Sequence, residues 1–262
     1  MIVPTMSRLA ICDALFSDRP KLKIKAEALA TNLAKQCKKE KKFPVYKWEE
    51  YIHQQSRNRY LICLCIPSQN LINNPEINYV CIVEDDKELA FLNWGCWAYK
   101  EPGSIISIAT RYLGIYTVHF FQRYRERYWK DPQMSQNEAL CRFFTRNKKT
   151  VPLEMNEDIQ RNYKDYGEYG GYGMQVHDGT CLIQSWNEGD PASIGKDDSD
   201  FISVVIYKTF VNNGMMTDAQ NKAIKEEGNR YLSETYMDLY KDAIVDELAH
   251  RLSRHNQTDT KS

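Results

Sequence analysis

Phe201-Ile-Ser-Val-Val-Ile-Tyr-Lys-Thr-Phe210 is the strongest strand signal in the chain, a β-branched and aromatic run that carries a single charge, Lys208. Such residues fit a pleated, half-buried surface. Upstream, Met174-Gln-Val-His-Asp178-Gly179-Thr-Cys-Leu-Ile-Gln184 reads as two alternating runs joined at Asp-Gly. That dipeptide suits a tight primed turn, so the spacing predicts a β-hairpin. An acidic loop over 188–200 joins the hairpin to the strand. Earlier apolar runs at 60–66, 78–83 and 89–99 read as three more strands, with a fourth at 104–109 leading through Gly114 into a helix. The expected class is α+β, an antiparallel sheet with flanking helices.

The helical segments are fewer and more amphipathic. Residues 21–42 place Leu22, Ala26, Leu29, Leu33 and Cys37 on one stripe, with lysines around it. Those lysines are either the solvated side of a packed helix or a contact for a nucleic acid or membrane surface. Pro44 stops the pattern, and 48–55 is expected to form a second short helix. Ser135 with Glu138 is a capping box that opens a helix through about Phe144. Thr217 with Gln220 repeats the device and opens a helical C-terminal region whose apolar face is Leu232, Tyr236, Leu239, Ala243 and Leu248, followed by a frayed tail from His255. Between them, 147–171 is polar, with Gly167, Gly170 and Gly171 among Tyr163, Tyr166 and Tyr169. It reads as a long irregular connection, either a lid or a mobile loop.

Bulk properties narrow the class. Apolar residues at 42% and charged residues at 27% are ordinary for a folded soluble protein. No apolar run approaches the roughly 20 residues that span a bilayer. The N-terminus has no basic start followed by a long apolar core, so the expected location is cytoplasmic. The eight cysteines then read as buried thiols rather than disulfides, with Cys63 and Cys65 on the same face of their strand. Net charge is zero but segregated. Residues 1–60 carry 13 Lys or Arg against 6 acids, and 118–149 carry 8 against 3, whereas 150–200 carry 3 against 11. Such separation can steer a polyanion, or can be no more than unequal solvated surfaces.

One cluster speaks to chemistry. Thr117-Val-His119-Phe-Phe-Gln-Arg123-Tyr-Arg125-Glu-Arg127, read as a helix, sets His119, Arg123 and Arg127 four residues apart on one face. Phe120, Phe121, Tyr124 and Tyr128 fall on the flank that packs. An imidazole that titrates near neutrality beside permanently charged guanidiniums suits an anion, and a phosphodiester is a natural one. His can move a proton in RNA cleavage while Arg offsets charge at phosphorus. The same residues also serve as a structural His beside a solvated basic face, with Glu126 pairing to an arginine.

The series Thr117-x-His119-x-x-x-Arg123-x-x-x-Arg127, then Met134-Ser135-x-x-Glu138 and a short helix, resembles a pattern in small toxin-like domains of unknown function grouped with the RelE/barnase-like superfamily. The resemblance covers about 104–212. It implies helices preceding an antiparallel sheet, with His119 as general acid or base and Arg123 and Arg127 as the phosphate clamp. Lys208 and Thr209 would face them from the sheet. It also implies a toxin-like region over 101–262, with 1–100 supplying N-terminal helices and strands, in the same domain or a separate one.

Other clusters are weaker. His177 beside Asp178 either orients a proton-transfer group or serves the hairpin turn. Asp197-Asp198-Ser-Asp200 and Glu84-Asp85-Asp86 lack calcium-loop spacing. No cysteine or histidine spacing fits structural zinc, and no glycine-rich phosphate loop is present, so neither cofactor nor metal is expected. Three functions stay open: a metal-independent ribonuclease of toxin type acting on RNA phosphodiesters, a non-enzymatic accessory protein binding nucleic acid or protein, and a helix with a purely structural role. The expected partners are RNA and a protein partner or antitoxin, with no membrane.

Overall fold

The computed structural model describes residues 1–3, 5–85, 88–100, 107–148, 150–154, 172–193 and 200–215, together with Asp218, Lys222 and Glu226. Of the irregular connection read over 147–171, Val151–Glu154 is instead a strand, while 155–171, the capping box at Thr217 and the helix and tail beyond it lie outside the described residues.

Among the described residues nine strands form one sheet: β1 (Val45–Ile52), β2 (Arg59–Ile66), β3 (Glu76–Asp85), β4 (Glu88–Lys100), β5 (Ser107–Thr117), β6 (Val151–Glu154), β7 (Tyr172–Val176), β8 (Gly179–Glu188) and β9 (Ile202–Val211). Their spatial order is β1-β2-β3-β4-β5-β9-β8-β7-β6. Every pair is antiparallel except β5 with β9, which run parallel at the centre. The strands on either side of residue 100 therefore belong to one continuous sheet. The α+β class with an antiparallel sheet and flanking helices describes the chain.

Among the described residues three helices pack on the sheet: α1 (Arg8–Gln36) on one face, α2 (Val118–Tyr124) and α3 (Gln136–Arg146) on the other. This layering explains the continuous apolar run of β2. Tyr60, Ile62, Leu64 and Ile66 point to α1, while Leu61 and Cys63 point to α2 and α3. Both faces are covered, so alternation disappears from the sequence. Cys63 and Cys65 share the α3 side, and all eight cysteines are unpaired thiols, seven of them buried.

Two helix expectations are corrected. The basic helix runs 8–36 rather than 21–42, with Ser7 capping it by accepting the Ala10 N–H and Pro20 inside it. Residues 48–55 are not a helix. Val45–Ile52 is the edge strand β1, fully paired to β2. Trp48, Tyr51 and Ile52 mimic helical spacing because both faces of β1 carry apolar residues, Trp48 on the α3 side and Tyr51 on the α1 side.

Candidate functional site

The central helix forms where the sequence places it. Thr117 caps α2 through its hydroxyl, which accepts the Phe120 N–H at 3.2 Å. Phe120, Phe121 and Tyr124 are fully buried, each contributing about 1.5–3 kcal/mol of apolar burial. Tyr116 and Tyr207 stack beneath them at 3.9 Å, joining the two central strands.

The expected single face of His119, Arg123 and Arg127 is not what forms. After Tyr124 the helix widens into a π-turn over Arg125–Trp129, which closes at the left-handed Lys130. A π-turn shifts the residues after it relative to an α-helix. Arg127 consequently reaches the sheet, where its Nη1 donates to the Phe210 carbonyl at 2.7 Å, and Asn212 Nδ2 donates to the Arg127 carbonyl. It is a strut between helix and sheet.

His119 and Arg123 do come together. His119 is exposed, and Arg123 Nε donates to its Nε2 at 3.3 Å. Arg123 also pairs with Glu126 at 3.0 Å, and Gln122 donates to the same carboxylate. The Gln122 bond, then Arg123, holds Glu126 below the usual carboxylate range. Since arginine can only donate, His119 Nε2 acts as an acceptor here, with the ring proton on Nδ1. Glu126, expected from the sequence to pair to an arginine, does so with Arg123.

Lys208 and Thr209 do not assemble with them as the toxin-like pattern implies. Leu182 pairs with Thr209 and Ile183 with Tyr207, leaving Lys208 as a bulge in β9. The extra residue lets Tyr207 and Phe210, three apart, both face α2. Thr209 falls opposite Leu182, between the helix-facing Cys181 and Ile183, and so is buried on the other face. Lys208 is half-buried at the bulge.

The best-connected polar group nearby is one the sequence assigned to a turn. Asp178 is wholly buried at the β7–β8 hairpin, whose two-residue loop is His177-Asp178. The turn residues are not left-handed, so the connection is not the expected primed type. Gly179 is needed instead for close approach, because a Cβ there would lie 2.4 Å from the Val211 carbonyl oxygen. The Asp178 carboxylate accepts from Tyr124 Oη at 2.6 Å, from Arg146 Nε and Nη2, and from Asn147 Nδ2 at 3.1 Å. Burial pushes its carboxyl up, but the Arg146, Tyr124 and Tyr128 bonds outweigh it and hold the group below the usual carboxylate range. Burial, aided by the adjacent carboxylate, pushes the Tyr124 phenol well up. His177 is exposed, 4.0 Å from the carboxylate, and takes no part in that network of hydrogen bonds. The arrangement locks α2, α3 and the hairpin together.

A second buried acid sits on the opposite face. Asp18 accepts from Tyr60 Oη and Ser56 Oγ, both at 2.6 Å, and from Asn58 Nδ2 at 2.8 Å. His53 Nδ1 lies 3.3 Å from it. A serine, a histidine and an aspartate so close invite comparison with a nucleophilic triad. Ser56 Oγ and Asp18 both meet the same imidazole nitrogen, which also accepts the Ser56 N–H. A triad needs them on opposite nitrogens. The cluster is a buried knot, and Asn58 Oδ1 extends it to the Ile2 N–H. Its sequence signal was an acid in the apolar stripe of α1, at helical spacing between Leu15 and Leu22.

Among the described residues no group of three His, Cys, Asp or Glu is placed to hold a metal ion. Nor, among the described residues, is any helix long and apolar enough to cross a membrane.

The clearest electrostatic feature lies at the end of α1. Lys35, Lys38, Lys39, Lys41 and Lys42 are all exposed, and none pairs with a carboxylate among the described residues. The one acid among them, Glu40, turns inward along the chain. Its Oε1 accepts the backbone N–H groups of Lys41 and Lys42 at 2.9 and 3.1 Å, which hold it below the usual carboxylate range.

No protein family, curated protein or solved structure matches the chain.

Proposed function

We propose that this chain is a nucleic-acid-binding module, with RNA as its polyanion and the lysine-rich end of α1 as the contact. The observation that carries it is the set of five exposed ammonium groups within eight residues, where the one acid in that stretch, Glu40, is engaged with backbone. A phosphate backbone displaces counterions from such a cluster, and that release drives sequence-independent binding. Arg123 adds less to this contact, because Glu126 already holds its guanidinium. The test is binding of a single-stranded oligoribonucleotide at several salt concentrations, by wild type and by a variant with Lys38, Lys39, Lys41 and Lys42 replaced by alanine.

A second reading keeps catalysis at His119, in line with the toxin-like pattern. What supports it is an exposed imidazole with an arginine N–H at its Nε2. A substrate phosphate that drew Arg123 away would free that nitrogen to take the 2′-hydroxyl proton, with Arg123 then bound to the phosphate. Cleavage of total RNA by the wild type, lost in a folded His119→Ala variant, is the expected result. Equal cleavage by both proteins would end the reading.

A further inference from the structure

The strands β3 and β4 pair only from Cys81–Leu92 to Asp85–Glu88. Beyond Cys81 they splay, although β3 stays paired to β2 as far as Glu76 and β4 to β5 as far as Lys100. The gap is a cavity of about 280 Å³ lined by Arg19, Asn78, Tyr79, Asn93, Trp94, Tyr112 and their neighbours. Where ladder bonds would run, the Asn93 carboxamide bridges the strands. Its Nδ2 donates to Asn78 Oδ1 at 3.1 Å and to the Tyr79 carbonyl at 3.3 Å, and its Oδ1 accepts from Tyr112 Oη at 3.0 Å.

The hydrogen-bond inventory leaves two groups over. Asn78 Nδ2 uses one N–H on the Phe144 carbonyl, and its second has no partner among the described residues. Asn93 Oδ1 accepts one bond and retains a lone pair. Both residues line the slot, one with a spare donor and the other with a spare acceptor. Tyr112 packs closely on Gly95, where a Cβ would come within 2.8 Å of its ring. The exposed Arg19 guanidinium stands at the same cavity, on the helix that leads into the lysine row.

From this geometry we infer that the slot between β3 and β4 takes a single unstacked RNA base, with Arg19 on its phosphate. A base is planar, offers adjacent donors and acceptors on its edge and stacks on aromatic side chains, which is how proteins read single-stranded RNA. The cavity is slightly smaller than the roughly 300 Å³ at which pockets for small ligands begin, so it holds one base and no more. The choice of base over another planar amide rests on the polyanion reading above. The slot gives that reading a point of base recognition away from the lysines.

Cys96 lines the slot and is the one exposed cysteine, the other seven being buried. The rate at which a thiol-reactive disulfide reagent labels it in the native protein therefore reports occupancy. Uridine and adenosine 5′-monophosphates should slow labelling saturably, and ribose 5-phosphate at the same concentration should not. Arg19→Ala should weaken protection by the mononucleotides up to about fivefold, the value of one exposed ion pair, and leave protection by the nucleosides unchanged. No protection by any nucleotide would overturn the inference. So would equal protection by ribose 5-phosphate, or protection by an N-acetyl dipeptide amide in place of the nucleotides. Mononucleotide protection without oligonucleotide binding would sink the lysine contact and support the slot, so the two failures are separable.

Discussion

Arg146 grips Asp178 with two donors, Nε to Oδ2 at 3.0 Å and Nη2 to Oδ1 at 2.7 Å, joining the end of α3 to a hairpin turn 32 residues away. The carboxylate has no exposure at all, while the guanidinium keeps 23% of its side-chain surface. Arg146 also reaches Tyr128 Oη at 2.7 Å and lies 5.5 Å from the Trp129 ring. The pair therefore tethers the π-turn as well as the hairpin.

Removing one partner should be costly. Asp178→Ala strands a guanidinium in a mostly buried site, and a loss of about 3–5 kcal/mol is expected, read as a shift in the urea midpoint. The pH dependence has a definite sign. Because the folded carboxyl lies below its ordinary 3.8, its contribution is complete above that value and is lost as pH falls below it toward the folded value. Wild-type stability should drop through that acid window, and Asp178→Asn should flatten the drop. An equal slope in both would show that other carboxylates govern acid unfolding.

Gly179→Ala should destabilise although the residue has ordinary backbone angles. The added Cβ would meet the Val211 carbonyl oxygen at 2.4 Å and Phe210 Cζ at 2.7 Å, and a paired strand backbone cannot yield cheaply. Overpacking of this kind costs about 1–3 kcal/mol, measurable by thermal melting. An unchanged melt would mean that β8 and β9 can part at this end.

Arg127 and Arg123 should separate by role. Arg127→Ala removes the bond to the Phe210 carbonyl and should lower stability by about 1–3 kcal/mol with RNA affinity retained. Arg123→Ala, on an exposed surface, should change stability by less than about 1 kcal/mol. A reversed pattern in paired melting and binding experiments would restore Arg127 to the phosphate contact.

What could be read from the sequence was local. The apolar runs of β2, β3, β4 and β9, the Ser135 cap and the packing flank of α2 all follow from neighbours a few residues apart. The N-terminal half of α1 was hidden because Asp18 and Pro20 look like a break. Its acid is instead satisfied by Ser56, Asn58 and Tyr60, roughly forty residues on. The same distance problem concealed Asp178, which finds Arg146 and Tyr124 only after folding. The His119–Arg123 contact was legible because it lies within one helical turn. The loss of Arg127 from that face was not, since a π-turn leaves no residue signature. The bulge at Lys208, which turns Thr209 away, depends on the register of β8 against β9.

The most direct test of the RNA-binding proposal is the salt dependence of oligoribonucleotide binding. For single strands, log affinity falls with log salt by about 0.7 for each phosphate neutralised, so replacing Lys38, Lys39, Lys41 and Lys42 by alanine should reduce the slope by about 3. A shallower slope with an unchanged melt is the expected result. Identical slopes for the two proteins, or binding that ignores salt, would contradict the assignment of the lysines just beyond α1 as the RNA contact.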